Sequence, residues 1–328
     1  MNSELTNICD DFIAAQEKTK GIFGLDYSTV YIICAYIMAS RKAEINEDEL
    51  KANRKLLRSQ NGAFSSMRGV MEGPVTCLMT VSGNPQEFLD NTQENYAILK
   101  KYFHSSEFAV SAAALITEYG DSGRSAEIAE RAKIIYDRMK KKHFFLTSSE
   151  DIVYCVLLAM SERSDDELID EMENIFKQFK GFSDGDTVQT ISHILTLAEG
   201  EVTEKCSSFN ALAQELKDSG KKYGKNRELT VLAALSAVGN DIQTTVKDIS
   251  EADDYLAEQK GYRGILGFSK KERLMHAAML VAAAYAPQSN TKTAKISDRL
   301  AAIAAKELIL YRCIQDATAC AAAVAATC

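Results

Sequence analysis

Three prolines and 17 glycines in 328 residues leave little material for long irregular segments, and 46% hydrophobic content is ample for a packed core. Strand signals are lacking as well. No stretch alternates with period two, and the Asn-Gly dipeptide at Asn61-Gly62 sits where it closes a helix instead of a hairpin. Long apolar runs are missing: Val30–Ala39 and Leu274–Ala286 fall short of the roughly 18–20 residues that cross a bilayer. The first residues, Met1-Asn2-Ser3-Glu4-Leu5, lack a basic region followed by an apolar one, so no secretory signal, no membrane partner and a cytoplasmic location are expected.

Eight cysteines are present, but none are spaced two to four residues apart, and several lie inside apolar stretches. That spacing points to reduced core residues and away from zinc or disulfides. Histidine is scarce and scattered, with no His-x-x-x-His or Glu-x-x-His spacing, so no metal and no cofactor are expected. A net charge of −8 and a pI near 5.3 make the chain as a whole a poor nucleic-acid binder. Its lysine clusters, Lys140-Lys141-Lys142, Lys221-Lys222 with Lys225 and Arg227, and Lys270-Lys271 with Arg273, lie near expected helix ends. In the first two, the charge complements a helix C-terminus.

What is present is helical periodicity, most legible from Phe144 to Phe179. Thr147 and Glu150 form a capping pattern before Ile152–Met160, which is apolar all the way round and must be buried on most sides. Ser164 and Glu167 repeat the pattern, and Leu168, Met172, Ile175, Phe176 and Phe179 then make a single apolar stripe. This inner-then-outer plan recurs. Phe64, Phe103, Phe145, Phe182, Tyr223 and Phe268 stand 39, 42, 37, 41 and 45 residues apart, each ahead of an apolar helix, which predicts an aromatic staple before each helix cap.

The fold class expected is therefore all-α: some fourteen helices in α/α hairpin repeats of about 40 residues, forming a superhelix curled toward a ring. The whole chain reads as one repeat domain. Residues 1–20 form an N-terminal helix ended by Gly21, 21–286 hold the helix pairs, and 287–328 form Ala-rich capping helices.

No motif demands a particular chemistry. Asp184-Gly185-Asp186 has the letters of an aspartyl-phosphate loop but follows a helical stretch, with Ser183 and Asp186 close to a capping box. The acid pairs Asp10-Asp11, Asp165-Asp166 and Asp253-Asp254 suit magnesium, yet first-turn acids explain the second pair. Gly261-x-x-Gly264-x-x-Gly267 has no preceding strand and reads as a wide turn. Four residues after the marker aromatics stand Arg68, Glu107, Ser149, Asp186, Arg227 and Glu272. These would line one rim, and Arg68 and Arg227 need explaining, because arginine is unfavourable in a first helical turn. His193 falls inside an apolar helix nearby in sequence.

Three segments, Phe145-Leu146-Thr147-Ser148-Ser149-Glu150-Asp151, Ile191-Ser192-His193-Ile194-Leu195 and Leu256-Ala257-Glu258-Gln259-Lys260-Gly261-Tyr262, resemble a family of uncharacterised bacterial proteins, mainly Gram-positive, known as a domain of unknown function. The resemblance is clearest from about residue 60 to 285 and implies a bacterial cytoplasmic protein of one helical domain, with no activity, cofactor or site residue to carry over. The expected function is a non-enzymatic scaffold or adaptor that binds a protein or peptide on a concave face or rim, through Arg68, Glu107, Asp186, Arg227, Glu272 and His193. The alternative is an α/α-ring enzyme or small-molecule binder, with Asp151, Asp186, His193 and Glu272 around a polar cavity.

Overall fold

The computed structural model describes residues 1–23, 30–120, 122–226, 228–238, 241–263 and 268–285, and among these there are fourteen α-helices and no strand. The protein is all-α. The expected C-terminal helices at 287–328 and the rim residue Arg227 lie outside the described residues. Two compact units can be distinguished. The early unit comprises residues 10–160, and the late unit comprises Met1–Cys9 with residues 161–285.

Helix α1 (Ser3–Phe23) runs past Gly21 instead of ending there. One glycine costs a helix only about 1 kcal/mol, and the extra turn buries Phe23 completely. In the early unit follow α2 (Val30–Ser40), α3 (Glu47–Gln60), α4 (Glu72–Val81), α5 (Pro85–Leu99), α6 (Glu107–Tyr119), α7 (Ser125–Lys142) and α8 (Ile152–Ala159). The late unit holds α9 (Asp165–Gln178), α10 (Gly185–Leu197), α11 (Val202–Asp218), α12 (Leu229–Ala237), α13 (Ile242–Ala257) and α14 (Lys270–Tyr285).

Burial follows the hydrophobic pattern. Every residue of α8 is buried, as are most of α2 and α10 and the run Leu274–Ala283 of α14, whereas α3, α7 and α9 bury one stripe each. Within the early unit, α3 packs on α4, α5 on α6 and α7 on α8; within the late unit, α9 packs on α10, α11 on α12 and α13 on α14. Gly73 lets α4 approach α2 closely: a Cβ there would stand 2.6 Å from Val30 Cγ1 and 2.8 Å from Cys34 Sγ.

Caps set the helix starts. Ser164 caps as the sequence predicts and closes a full capping box with Glu167, while Asn46 and Asn84 cap α3 and α5. Elsewhere the cap shifts. Ser148, not Thr147, caps the turn into α8, with Asp151 in place of Glu150 completing the box, because Thr147 is buried. Asp184, not Ser183, caps α10. Helix α11 starts at Val202, so Thr203 lies inside it. Cations from neighbouring helices and turns satisfy open C-terminal carbonyls. In the early unit, Arg131 Nη1 donates to Ala159 O at 3.0 Å; in the late unit, Arg163 Nη1 donates to Thr196 O at 3.0 Å and Lys205 Nζ to Ala198 O at 2.8 Å.

Candidate functional site

In the early unit, the turns that lead into α4, α6 and α8 form a connected edge. Residues 58–68, 99–106 and 140–149 contain no aspartate or glutamate, yet carry Arg58, Arg68, Lys100, Lys101 and Lys140-Lys141-Lys142. Their side chains link up. Ser66 Oγ and Ser105 Oγ share a 3.1 Å hydrogen bond, and Ser105 Oγ shares another, of 2.5 Å, with Tyr96 Oη. Phe103 meets Tyr136 edge-on at 5.5 Å, and Lys140 Nζ lies 5.6 Å from the Tyr136 ring and 5.7 Å from that of Phe144. Phe144 in turn meets Phe145 edge-on at 5.3 Å.

The predicted aromatic staples do not hold along this edge. Phe103 is tucked in at 8% exposure, but Phe64 is 105% exposed and Phe145 94%. The reason is local. The segment around Phe64 is a series of turns anchored by other groups, with Arg68 N bonded to Ser65 O and Met67 N to Ser65 Oγ, and Met67 takes the buried position. Before α8, Thr147 is the buried residue, and both Phe144 and Phe145 are left outside.

Beneath Phe64 the edge is fastened by one carboxylate. Glu72, at the start of α4 and 5% exposed, accepts from three arginines: Arg54 Nε at 2.6 Å, Arg58 Nη2 at 2.7 Å and Arg68 Nε at 2.5 Å. Burial pushes the Glu72 carboxyl up, but the hydrogen bonds from Arg58, Arg54 and Arg68 outweigh it and hold the group below its ordinary value. Arg54 also donates to Ile22 O at 2.6 Å, and Arg68 to Asn61 O at 3.2 Å. A basic surface therefore overlies a single buried anion.

A family described as "Protein of unknown function (DUF4003)" matches residues 16–312. The chain belongs to this family. Among its relatives, the uncharacterized protein YeaA of Bacillus subtilis (strain 168) is 23% identical over 261 residues, which span 76% of this chain and 77% of the relative. No solved structure matches.

The rim residues of this DUF4003 chain are placed as follows. Arg68 lies before a 3-10 turn, Gly69–Met71, not in the first turn of α4, and its guanidinium is engaged by Glu72. Its puzzling position has a structural cause. Glu107 opens α6, half-exposed, beside the Phe103 turn. In the late unit, Asp186 is exposed in the first turn of α10, and His193 is buried two turns further on. Glu272 reaches back to the Ser269 N–H at 2.8 Å, and Ser269 Oγ accepts from the Glu272 N–H at 3.3 Å, a capping box that opens α14. Asp151, from the alternative reading, is likewise a capping group, accepting from Ser148 N–H at 2.7 Å. Among the described residues no cluster of three or more His, Cys, Asp or Glu side chains could hold a metal ion.

Sequence reasoning marked Phe64, Phe103 and Phe145 for their period but assigned them inward roles. It also read Lys140–Lys142 only as a helix end. The missed signal was the absence of acids from all three turns, which separates this edge from the acidic remainder of the chain.

Proposed function

We propose that this protein is a non-enzymatic scaffold of the bacterial cytoplasm, built as one domain of α/α repeats that curl into a superhelix, and that it binds a protein partner along the early unit's edge. The partner presents a segment carrying both acidic and apolar side chains. The exposure of Phe64 and Phe145 on acid-free, lysine-bearing turns carries this reading. Large aromatics left in water are the usual anchors of an interface, and the basic residues around them select for an acidic counterpart. The period of about 40 residues and the pairing of one-faced with fully buried helices support the repeat architecture. A net charge of −8 favours a protein over a nucleic acid as the occupant.

Native mass spectrometry of the protein purified gently from its bacterial host tests the proposal. A stoichiometric second polypeptide is expected with the wild type. It should be lost from Phe64→Ser/Phe145→Ser and from Lys141→Glu/Lys142→Glu, whose exposed sites leave folding intact. A complex that survives both changes, or a nucleic acid in place of a polypeptide, overturns it.

A further inference from the structure

The late unit has a cleft of about 320 Å³ between α11, α12 and α13, lined by Ser208, Leu212, Leu235, Ser236, Asp241, Ile242 and Thr245. Its polar groups are matched to one kind of ligand. Ser236 Oγ donates its proton to Ala233 O at 2.9 Å, and Thr245 Oγ1 donates to Asp241 O at 2.9 Å. Both hydroxyls donate to the helix backbone, Thr245 also bonding the Tyr285 side chain, which leaves lone pairs at both oxygens as acceptors. Asp241 caps α13, its Oδ2 accepting from Thr244 N–H and Oγ1–H, both at 2.8 Å, and these bonds hold its carboxyl below the ordinary value and therefore ionised. Among the described residues no lysine, arginine or histidine lines the cleft.

A second observation gives the same sign of charge. Asp248, buried one turn beyond Thr245 on α13, accepts from Tyr285 Oη at 2.7 Å. Burial pushes the Tyr285 phenol well up, and the negative charges of Asp248 and Asp241 push it further. The field on this side of α13 is negative. Opposite the acceptors, Leu212, Leu235 and Ile242 supply an apolar wall, and the volume suits roughly ten water-sized groups at about 30 Å³ each.

We infer that this cleft binds a small aliphatic amine, its ammonium donating to Asp241, Ser236 and Thr245 while its methylenes lie on Leu212, Leu235 and Ile242. A binder of donors with no acceptors of its own fits a lining that offers a carboxylate and hydroxyl lone pairs and, among the described residues, no cationic side chain. The inference does not rest on the proposed partner of the early unit.

Calorimetric titration of the full chain with 1,4-diaminobutane, 1-aminobutane and 1-butanol tests it. The two amines should bind and the alcohol should not. Asp241→Asn keeps a good capping oxygen and removes the charge, so it should weaken amine binding about tenfold while leaving the thermal midpoint in place. Ser208→Lys, an exposed change that brings a cation to the mouth, should abolish binding. Absence of binding by either amine, equal binding of 1-butanol, or unchanged affinity in both variants overturns the inference.

Discussion

The two units place the marker aromatics of their turns differently. In the early unit the fastening is ionic and polar: Glu72 gathers Arg54, Arg58 and Arg68 under one turn, and Ser66 is tied to Ser105, while Phe64 and Phe145 are left outside. In the late unit ion pairs are present too, with Asp253 holding Lys221 and Arg273, but there the marker aromatics are packed against other rings. Phe182 folds back on Phe179 and Phe209, with ring centroids 5.6 and 5.7 Å away, and Phe268 packs on Tyr262 and His276 at 5.1 Å each. The same sequence period thus serves two ends. Phe64 and Phe145, left outside the packing of the early unit, are the aromatics available for binding.

The largest expected effect follows from breaking the ionic fastening. Glu72→Gln keeps the shape but removes the charge that three guanidinium groups share, leaving partly buried cations without their counter-ion. Such a loss costs about 3 kcal/mol and should appear as a lowered urea midpoint. A variant as stable as the wild type would show that the early unit's turns are held by something else.

The aromatic fastening of the late unit has a pH signature. His276 is buried in α14, sharing a 2.8 Å hydrogen bond between Nδ1 and Tyr262 Oη, and burial lowers its pKa from 6.5 to about 4, against a smaller upward pull from Glu272. Between pH 6.5 and 4 the unfolded chain therefore binds a proton that the folded chain refuses. Stability falls across that window as pH drops, by about 3 kcal/mol at most, and no further below it from this group. The depressed carboxyls Glu72 and Asp253 lose their contribution as pH falls from their ordinary values, 4.5 and 3.8, down through their depressed ones. Urea titrations at pH 7, 5.5 and 4.5 separate the two effects, and His276→Phe should flatten the upper window. A wild type equally stable at pH 7 and 4.5 would remove His276 from the account.

Much of this fold is legible in the sequence, since periodicity and capping are local. The all-round apolar run Ile152–Met160 and the stripe from Leu168 to Phe179 become α8 and α9 within a residue or two, and Ser164 with Glu167 caps as written. What failed depends on partners distant in sequence. Nothing local to Arg68 reveals that Arg54 and Arg58 converge on the same carboxylate, nor to Gly73 that Val30 and Cys34 lie against it. Whether an aromatic turns inward is decided by what competes for the space. Met67 and Thr147 take the inner positions beside Phe64 and Phe145, and no spacing rule distinguishes those turns from the one at Phe103. The cleft on α13 was equally invisible, because its character comes from where hydroxyl protons are spent.

The smallest effects make the sharpest test, because they compare like with like. Phe182 is 45% exposed but has two aromatic neighbours, so Phe182→Ala should cost about 1–2 kcal/mol through lost ring contacts and apolar burial. Phe145, 94% exposed with Phe144 as its one ring neighbour among the described residues, should change stability by no more than about 0.5 kcal/mol when truncated to alanine. Equal losses would erase the distinction between the units. A stable Phe145→Ala protein that no longer retains its partner would sharpen it, since a side chain that contributes nothing to the fold and is still required owes its place to what it binds.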